Sequence, residues 1–212
     1  MMIFFMHHGM IQAQKTQMIV VYGLGCNRFE SGVKQRRVYL NRIRNKDVID
    51  TVDVMCNTTD SNSMTYDIWR RLKNQELEPT PFVEHVMTDV MAALSRQERV
   101  LLLGHSYGGS VVSRVGMFLN ELCDVSDLRI GTFGSIFVPP IETTRSLDIR
   151  HYMYTNDIAA VCHKRSKSYE NITFLDPRYK RNPVFSHMDY DHLIARVSRH
   201  GTFDSLPQRK HY

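Results

Sequence analysis

The stretch RVLLLGHSYGG, Arg99 to Gly109, reads as a buried strand, a one-residue turn and the start of a helix. Val100 to Leu103 is an unbroken apolar run, as expected of a parallel strand covered on both faces. Gly104, Ser106 and Gly108 then fit the spacing G-x-S-x-G, with Gly109 beyond. In such an elbow the serine occupies a sharp, strained turn, and the flanking glycines let strand and helix approach closely. With Gly and Ser each at ~7% of residues, the spacing alone arises by chance in roughly one chain in ten to twenty of this size. Its context gives it weight. A strand precedes it, and a helix over Gly109–Cys123 follows with Val111, Val112, Val115, Phe118, Leu119 and Leu122 on its apolar side.

Strand and helix patterns alternate outward from this point. Gln17–Tyr22 reads as a core strand that ends at Gly23-Leu24-Gly25, and Phe29–Lys46 as an amphipathic helix. Val48–Met55 is a second strand, Asn57–Ser63 a polar loop and Met64–Leu77 a helix. Thr80-Pro81 has the form of an N-cap followed by proline at the first helical position. It opens a helix to Ser95 that buries Phe82, Val86, Val90 and Leu94. Beyond the elbow, Leu128–Phe133, Ile149–Tyr154 and Ile172–Leu175 are strands, and His187–Arg199 is a closing helix. This alternation predicts an α/β protein with a mostly parallel central sheet and helices on both faces. The 212 residues fit a single domain spanning 1–212, with 1–16 and 201–212 as loosely ordered termini.

Composition narrows the class further. Hydrophobic residues at 42% and charged residues at 23% are ordinary for a globular chain. The net charge of +5 is mild, and its clusters (Lys34–Arg37, Arg42–Lys46, Lys164–Lys167, Arg178–Arg181) carry no nucleic-acid motif. No nucleic-acid partner is expected, and at most a weak contact with an anionic membrane surface. Cys26, Cys56, Cys123 and Cys162 show neither C-x-x-C pairing nor zinc spacing, which points to a reduced, cytoplasmic chain. The opening MMIFFMHHGM is apolar but too short to span a bilayer, and it lacks the basic region and cleavage site of a signal peptide.

A serine hydroxyl attacks a carbonyl at neutral pH only with a base, an acid to orient that base, and donors for the oxyanion. On an elbow of this type the acid and then the histidine follow the serine along the chain. Asp157 follows the strand Ile149–Tyr154 directly; Asp124, Asp127, Asp148 and Asp176 are rivals less well placed. Among the later histidines, His163 is close behind Asp157, while His200 and His211 lie in the tail. His187 stands where the loop Asn182–Ser186 meets the last helix, and His192 is the alternative one turn on. Tyr107, which follows the serine, supplies one oxyanion amide. The loop Gly23–Cys26 is expected to supply the other, from Leu24 or, as the alternative, its neighbour Gly25.

These motifs resemble those of α/β-hydrolases, and more narrowly the class 3 (fungal-type) lipases and small lipase-like serine hydrolases. GHSYGGSVVS at Gly104–Ser113 is similar to that family's GHSLGG elbow. RIGTFG at Arg129–Gly134 resembles its TFG strand, and Tyr154-Thr155-Asn156-Asp157-Ile158 its T-N-D-I acid turn. The family's histidine is often followed three residues later by Tyr, a pattern met by His187 and Tyr190 and not by His192. The resemblance covers about Gln17 to Arg199. It implies an α/β-hydrolase fold and a carboxylic ester hydrolase (esterase or lipase-like) that acts on a small-molecule ester or lipid. Ser106, His187 and Asp157 would form the triad, with no metal or organic cofactor. The chain departs from the family in its short length, in Leu24 where a hydroxyl residue commonly follows the glycine, and in having no recognisable lid helix. The expectation is therefore a lidless esterase. A thioesterase or amidase on the same triad is the alternative, and a non-catalytic relative serving as a binding or structural protein is the rival from another class.

Overall fold

A computed structural model describes residues 14–23, 30–56, 80–163, 171–178 and 182–206. The loop carrying Leu24, Gly25 and Cys26, the segment Asn57–Leu77 and the chain's first and last residues lie outside the described residues.

Six strands, β1 (Thr16–Tyr22), β2 (Thr51–Cys56), β3 (Arg99–His105), β4 (Leu128–Phe133), β5 (Asp148–Tyr154) and β6 (Ile172–Leu175), form one sheet in the order β2-β1-β3-β4-β5-β6. Every pairing is parallel. Helices α1 (Glu30–Ile43), α2 (Pro81–Ser95), α3 (Tyr107–Leu122), α4 (Ala160–His163), α5 (Pro183–Met188) and α6 (Asp191–His200) connect or follow the strands. Along β3 the side chains alternate between two cores. Leu101 and Leu103 join Leu40, Leu193 and Val197 from α1 and α6, whereas Val100 and Leu102 join Val86, Val90, Val111 and Val115 from α2 and α3. The sheet is thus covered on both faces, and the apolar run of β3 follows from that double burial. The strand order reverses between β1 and β3, and in open parallel sheets the crevice for ligands opens beyond the carboxyl ends at such a point.

The Thr80 side chain accepts the Val83 amide and Pro81 begins α2, as its capping signature predicts. Two expectations require correction. The closing helix read over His187–Arg199 is two helices, α5 and α6. Leu122, read as an inward residue of α3, is 66% exposed at the helix's last position, and Leu119 is the last buried residue of α3. Gly201, at φ +66°, caps α6 by donating to the Val197 carbonyl, and a 3-10 turn over Phe203–Ser205 buries the Phe203 ring. Gly131 on β4 makes room for that ring; a Cβ there would lie 2.4 Å from Phe203 Cε1. At the other end, Lys15 accepts the Arg99 amide at 2.7 Å, so ordered pairing begins just before β1. No helix among the described residues is long and apolar enough to cross a membrane, and Cys123 is a free thiol.

Thr132 and His151 are register partners on β4 and β5, joined by a 2.7 Å bond between Oγ1 and Nδ1 in the interior. His151 Nε2 has no hydrogen-bond partner among the described residues. Burial, with nearby His163 acting in the same direction, pushes the His151 pKa down to about 3 from 6.5. A depressed folded-state pKa means that the unfolded chain binds the proton first as the medium acidifies. The stabilisation is therefore complete above about pH 6.5 and is lost progressively towards pH 3, amounting to a few kcal/mol. The urea midpoint should fall between pH 7 and pH 4. His151→Asn, which can keep a bond to Thr132 without titrating, should flatten that fall. Parallel curves for the two proteins would contradict the assignment.

Candidate active site

Ser106 sits between β3 and α3 at φ 57°, ψ −124°, a region that side chains other than glycine enter only under strain. Two glycines permit the turn. A Cβ on Gly104 would lie 2.4 Å from the Gly108 carbonyl oxygen, and one on Gly108 would lie 2.0 Å from the Val21 carbonyl oxygen. The G-x-S-x-G spacing is thus a packing requirement between β1, β3 and α3. The Ser106 amide donates to the Phe133 carbonyl at 2.9 Å, which ties the elbow to the end of β4.

The Ser106 hydroxyl donates to His187 Nε2 at 2.8 Å, and His187 Nδ1 donates to Asp157 Oδ1 at 2.8 Å. Three elements deliver these groups: the β3–α3 elbow, the turn after β5, and α5. Asp157 is fully buried, and two further donors hold its carboxylate. Its Oδ1 also takes the Ala159 amide at 2.7 Å, and its Oδ2 takes the Tyr190 hydroxyl at 2.6 Å. Tyr190 in turn accepts the Tyr154 amide at 2.8 Å. Burial pushes the Asp157 pKa up, but the bonds from His187, Tyr190 and the Ala159 amide outweigh it and hold the carboxyl below its ordinary range. Burial, then the Asp157 charge, pushes the Tyr190 phenol well up, so it remains a donor. Gly134, at φ +57°, passes close beside this cluster; a Cβ there would lie 2.8 Å from Asp157 Oδ2 and 2.7 Å from Tyr190 Cε2.

His187 belongs to α5, a helix distinct from α6. Asn182 caps α5 by accepting the Val184 and Phe185 amides, and Tyr190 precedes α6. His192, the alternative base, lies on α6 with Nε2 3.3 Å from the Tyr154 hydroxyl and Nδ1 3.8 Å from Asp189, and it does not meet Ser106. His163 donates to the Ser135 carbonyl at 2.8 Å. Of the rival acids, Asp127 and Asp148 stand at the amino ends of β4 and β5, where they pair with Arg99 and with Arg129 and Arg150. Asp124 accepts the Ser126 amide, and Asp176 is exposed after β6.

For the oxyanion, Tyr107 opens α3, where the helix dipole favours negative charge. Leu24 lies outside the described residues, but its neighbour Gly23 abuts the elbow; a Cβ there would lie 2.9 Å from Ser106 Cβ and 3.0 Å from the Tyr107 nitrogen. Among the described residues no group of three or more His, Cys, Asp or Glu is placed to hold a metal ion.

Sequence reasoning passed over His105. It is buried, and its Nε2 donates to the His187 carbonyl at 2.7 Å. Burial, and then the neighbouring His187, push its pKa down to about 4, so it is neutral at pH 7. Its place inside the elbow motif was the available signal.

The parallel order β2-β1-β3-β4-β5-β6, with the elbow after β3, the acid after β5 and the imidazole after β6, defines an α/β-hydrolase fold. No family model and no curated protein matches the chain. Among solved structures it is similar to a hydrolase of the α/β superfamily from Xanthomonas campestris pv. campestris, with 15% identity, 84% of this chain and 97% of that chain covered, and a TM-score of 0.38. A dienelactone hydrolase-like promiscuous phosphotriesterase from metagenomic libraries matches with 9% identity, 88% and 87% coverage and a TM-score of 0.46. The RedJ thioesterase of the prodiginine biosynthetic pathway in Streptomyces coelicolor matches with 13% identity, 88% coverage of each chain and a TM-score of 0.40. Overlaps at this level carry no argument about chemistry, which rests on the site itself.

Proposed function

We propose that the chain is a serine hydrolase of carboxylic esters. The observation that carries this reading is the unbroken relay from the Ser106 hydroxyl through His187 to Asp157, with both bonds at 2.8 Å. Ser106 attacks the acyl carbon while His187 Nε2 takes its proton and then passes it to the leaving alcohol. Asp157 keeps the proton on Nδ1 and stabilises the imidazolium as it forms. The Tyr107 and Leu24 amides receive the oxyanion. Water, deprotonated by His187, then releases the acid from the acyl-enzyme. The resemblance of the elbow, the TFG strand and the acid turn to class 3 lipases supports an ester as the scissile group. The exposed side chains of Ile158, beside the acid, and of Val184, Phe185 and Met188, on the helix of the base, support an apolar acyl portion.

The direct test is a fluorophosphonate probe, which reacts with an activated serine. Stoichiometric labelling at Ser106 is expected; an unlabelled, folded protein would mean a non-catalytic relative. Chain-length dependence tests the open site. Each methylene buried in an acyl pocket contributes about 0.8 kcal/mol, so KM should fall about fourfold per methylene until the pocket is full. Rate should follow dissolved ester smoothly, and a jump at the substrate's solubility limit would instead reveal an interfacially opened lid.

A further inference from the structure

Helix α5 carries the base, yet it buries only one side chain, Ser186, and exposes Val184, Phe185 and Met188. Hydrophobic docking therefore does little to fix a six-residue helix whose last turn must hold an imidazole within a few tenths of an ångström. Polar ties do this instead. Asn182 holds the start of the helix, and His105 Nε2 donates to the carbonyl of His187 itself at 2.7 Å. The tie runs to β3, which is bonded on one side to β1 and on the other to β4. The adjacent residues His105 and Ser106 thus grip the same histidine twice, once by its backbone and once by its ring.

We propose that His105 is a positioning residue, whose bond to the His187 carbonyl sets the imidazole's distance to Ser106 and Asp157. The proposal rests on the hydrolase reading above. Imidazole suits the task because it donates from within a buried space while remaining neutral. The His105 and His187 rings lie 5.4 Å apart, and a second cation there would oppose the imidazolium that His187 becomes on accepting the serine proton. Tyr22 meets the His105 ring edge-on at 6.0 Å, and Tyr190 lies 5.5 Å away, so the donor has little freedom to swing from the carbonyl.

The test compares His105→Gln, whose amide can reach the carbonyl, with His105→Met, which is of similar length and shape but has no donor. Thermal melts establish that both fold; should the Met variant fail, His105→Asn, whose amide falls short, replaces it. With a short p-nitrophenyl ester, the Met variant should lose ~10- to 100-fold in kcat with KM unchanged, as expected of a displaced catalytic group. The Gln variant should stay within about threefold of the parent. The low-field proton resonance of His187 Nδ1–H should persist in the parent and the Gln variant and be lost or broadened in the Met variant. Equal activity in both variants, or a sharp resonance in the Met variant, would overturn the proposal, since packing alone would not distinguish a donor from a thioether. If the parent neither turns over ester nor reacts with fluorophosphonate, the hydrolase reading fails. The resonance then still decides whether His105 places His187.

Discussion

Ser106→Ala should lower turnover of a short p-nitrophenyl ester by ~10⁴- to 10⁶-fold, the usual cost of removing a triad member. The change deletes one oxygen at the elbow and leaves its packing intact, because Gly104, Gly108 and the Ser106 amide bond to Phe133 make the turn. The melting temperature should therefore hardly move. Ser106→Gly should be equally inactive and at least as stable, since glycine accepts φ 57° without the strain that a Cβ brings. Wild-type turnover in Ser106→Ala would place the nucleophile elsewhere.

His187→Ala should be nearly as damaging, whereas His192→Ala should leave turnover within about threefold of the parent. The two imidazoles are only five residues apart, but only His187 bridges Ser106 and Asp157. In His187→Ala the carbonyl that His105 holds is retained, so α5 has no reason to unfold. Asp157 loses its ring partner but keeps Tyr190 and the Ala159 amide, and its pKa should rise towards the value burial alone favours. Carboxylate NMR shifts would follow that change, and kinetics would follow the loss of base. Loss of activity in His192→Ala alone would reverse the assignment.

The strands were the most legible part of the sequence. β4 and β6 have the residue ranges read from the pattern alone, and β1, β3 and β5 differ by a residue or two at their ends. A buried parallel strand is a dense apolar run, and such runs have clear ends. The elbow was legible for another reason: glycine at 104 and 108 is demanded by backbone contact, so the motif is a record of sterics. The join between α5 and α6 was not. His187–Arg199 reads as one helix because Tyr190, Leu193, Ile194 and Val197 keep an inward period, and all four are buried. The apolar residues Val184, Phe185 and Met188 fall outside that period and face solvent. Asn182-Pro183 is a cap-and-proline pair of the same kind as Thr80-Pro81, and it marks α5 as a separate helix. His105 stayed hidden because its partner is a backbone carbonyl 82 positions away, which no local pattern encodes.

The linear order of these parts has a consequence for a chain growing on a ribosome. Ser106 lies on the elbow after β3, and β6, the last strand among the described residues, ends at Leu175. A nascent chain that has emerged only as far as that strand presents the six described strands and the elbow, yet the Ser106 hydroxyl has no imidazole to donate to, because His187 is still inside the ribosome. The buried carboxylate lacks its phenol and imidazole partners for the same interval. On the proposed hydrolase reading, reactivity then waits on the emergence of residues 176–200, which carry α5 and α6. On that reading, the partly emerged chain already carries its serine on the strained turn and stays inert until the last helices reach it.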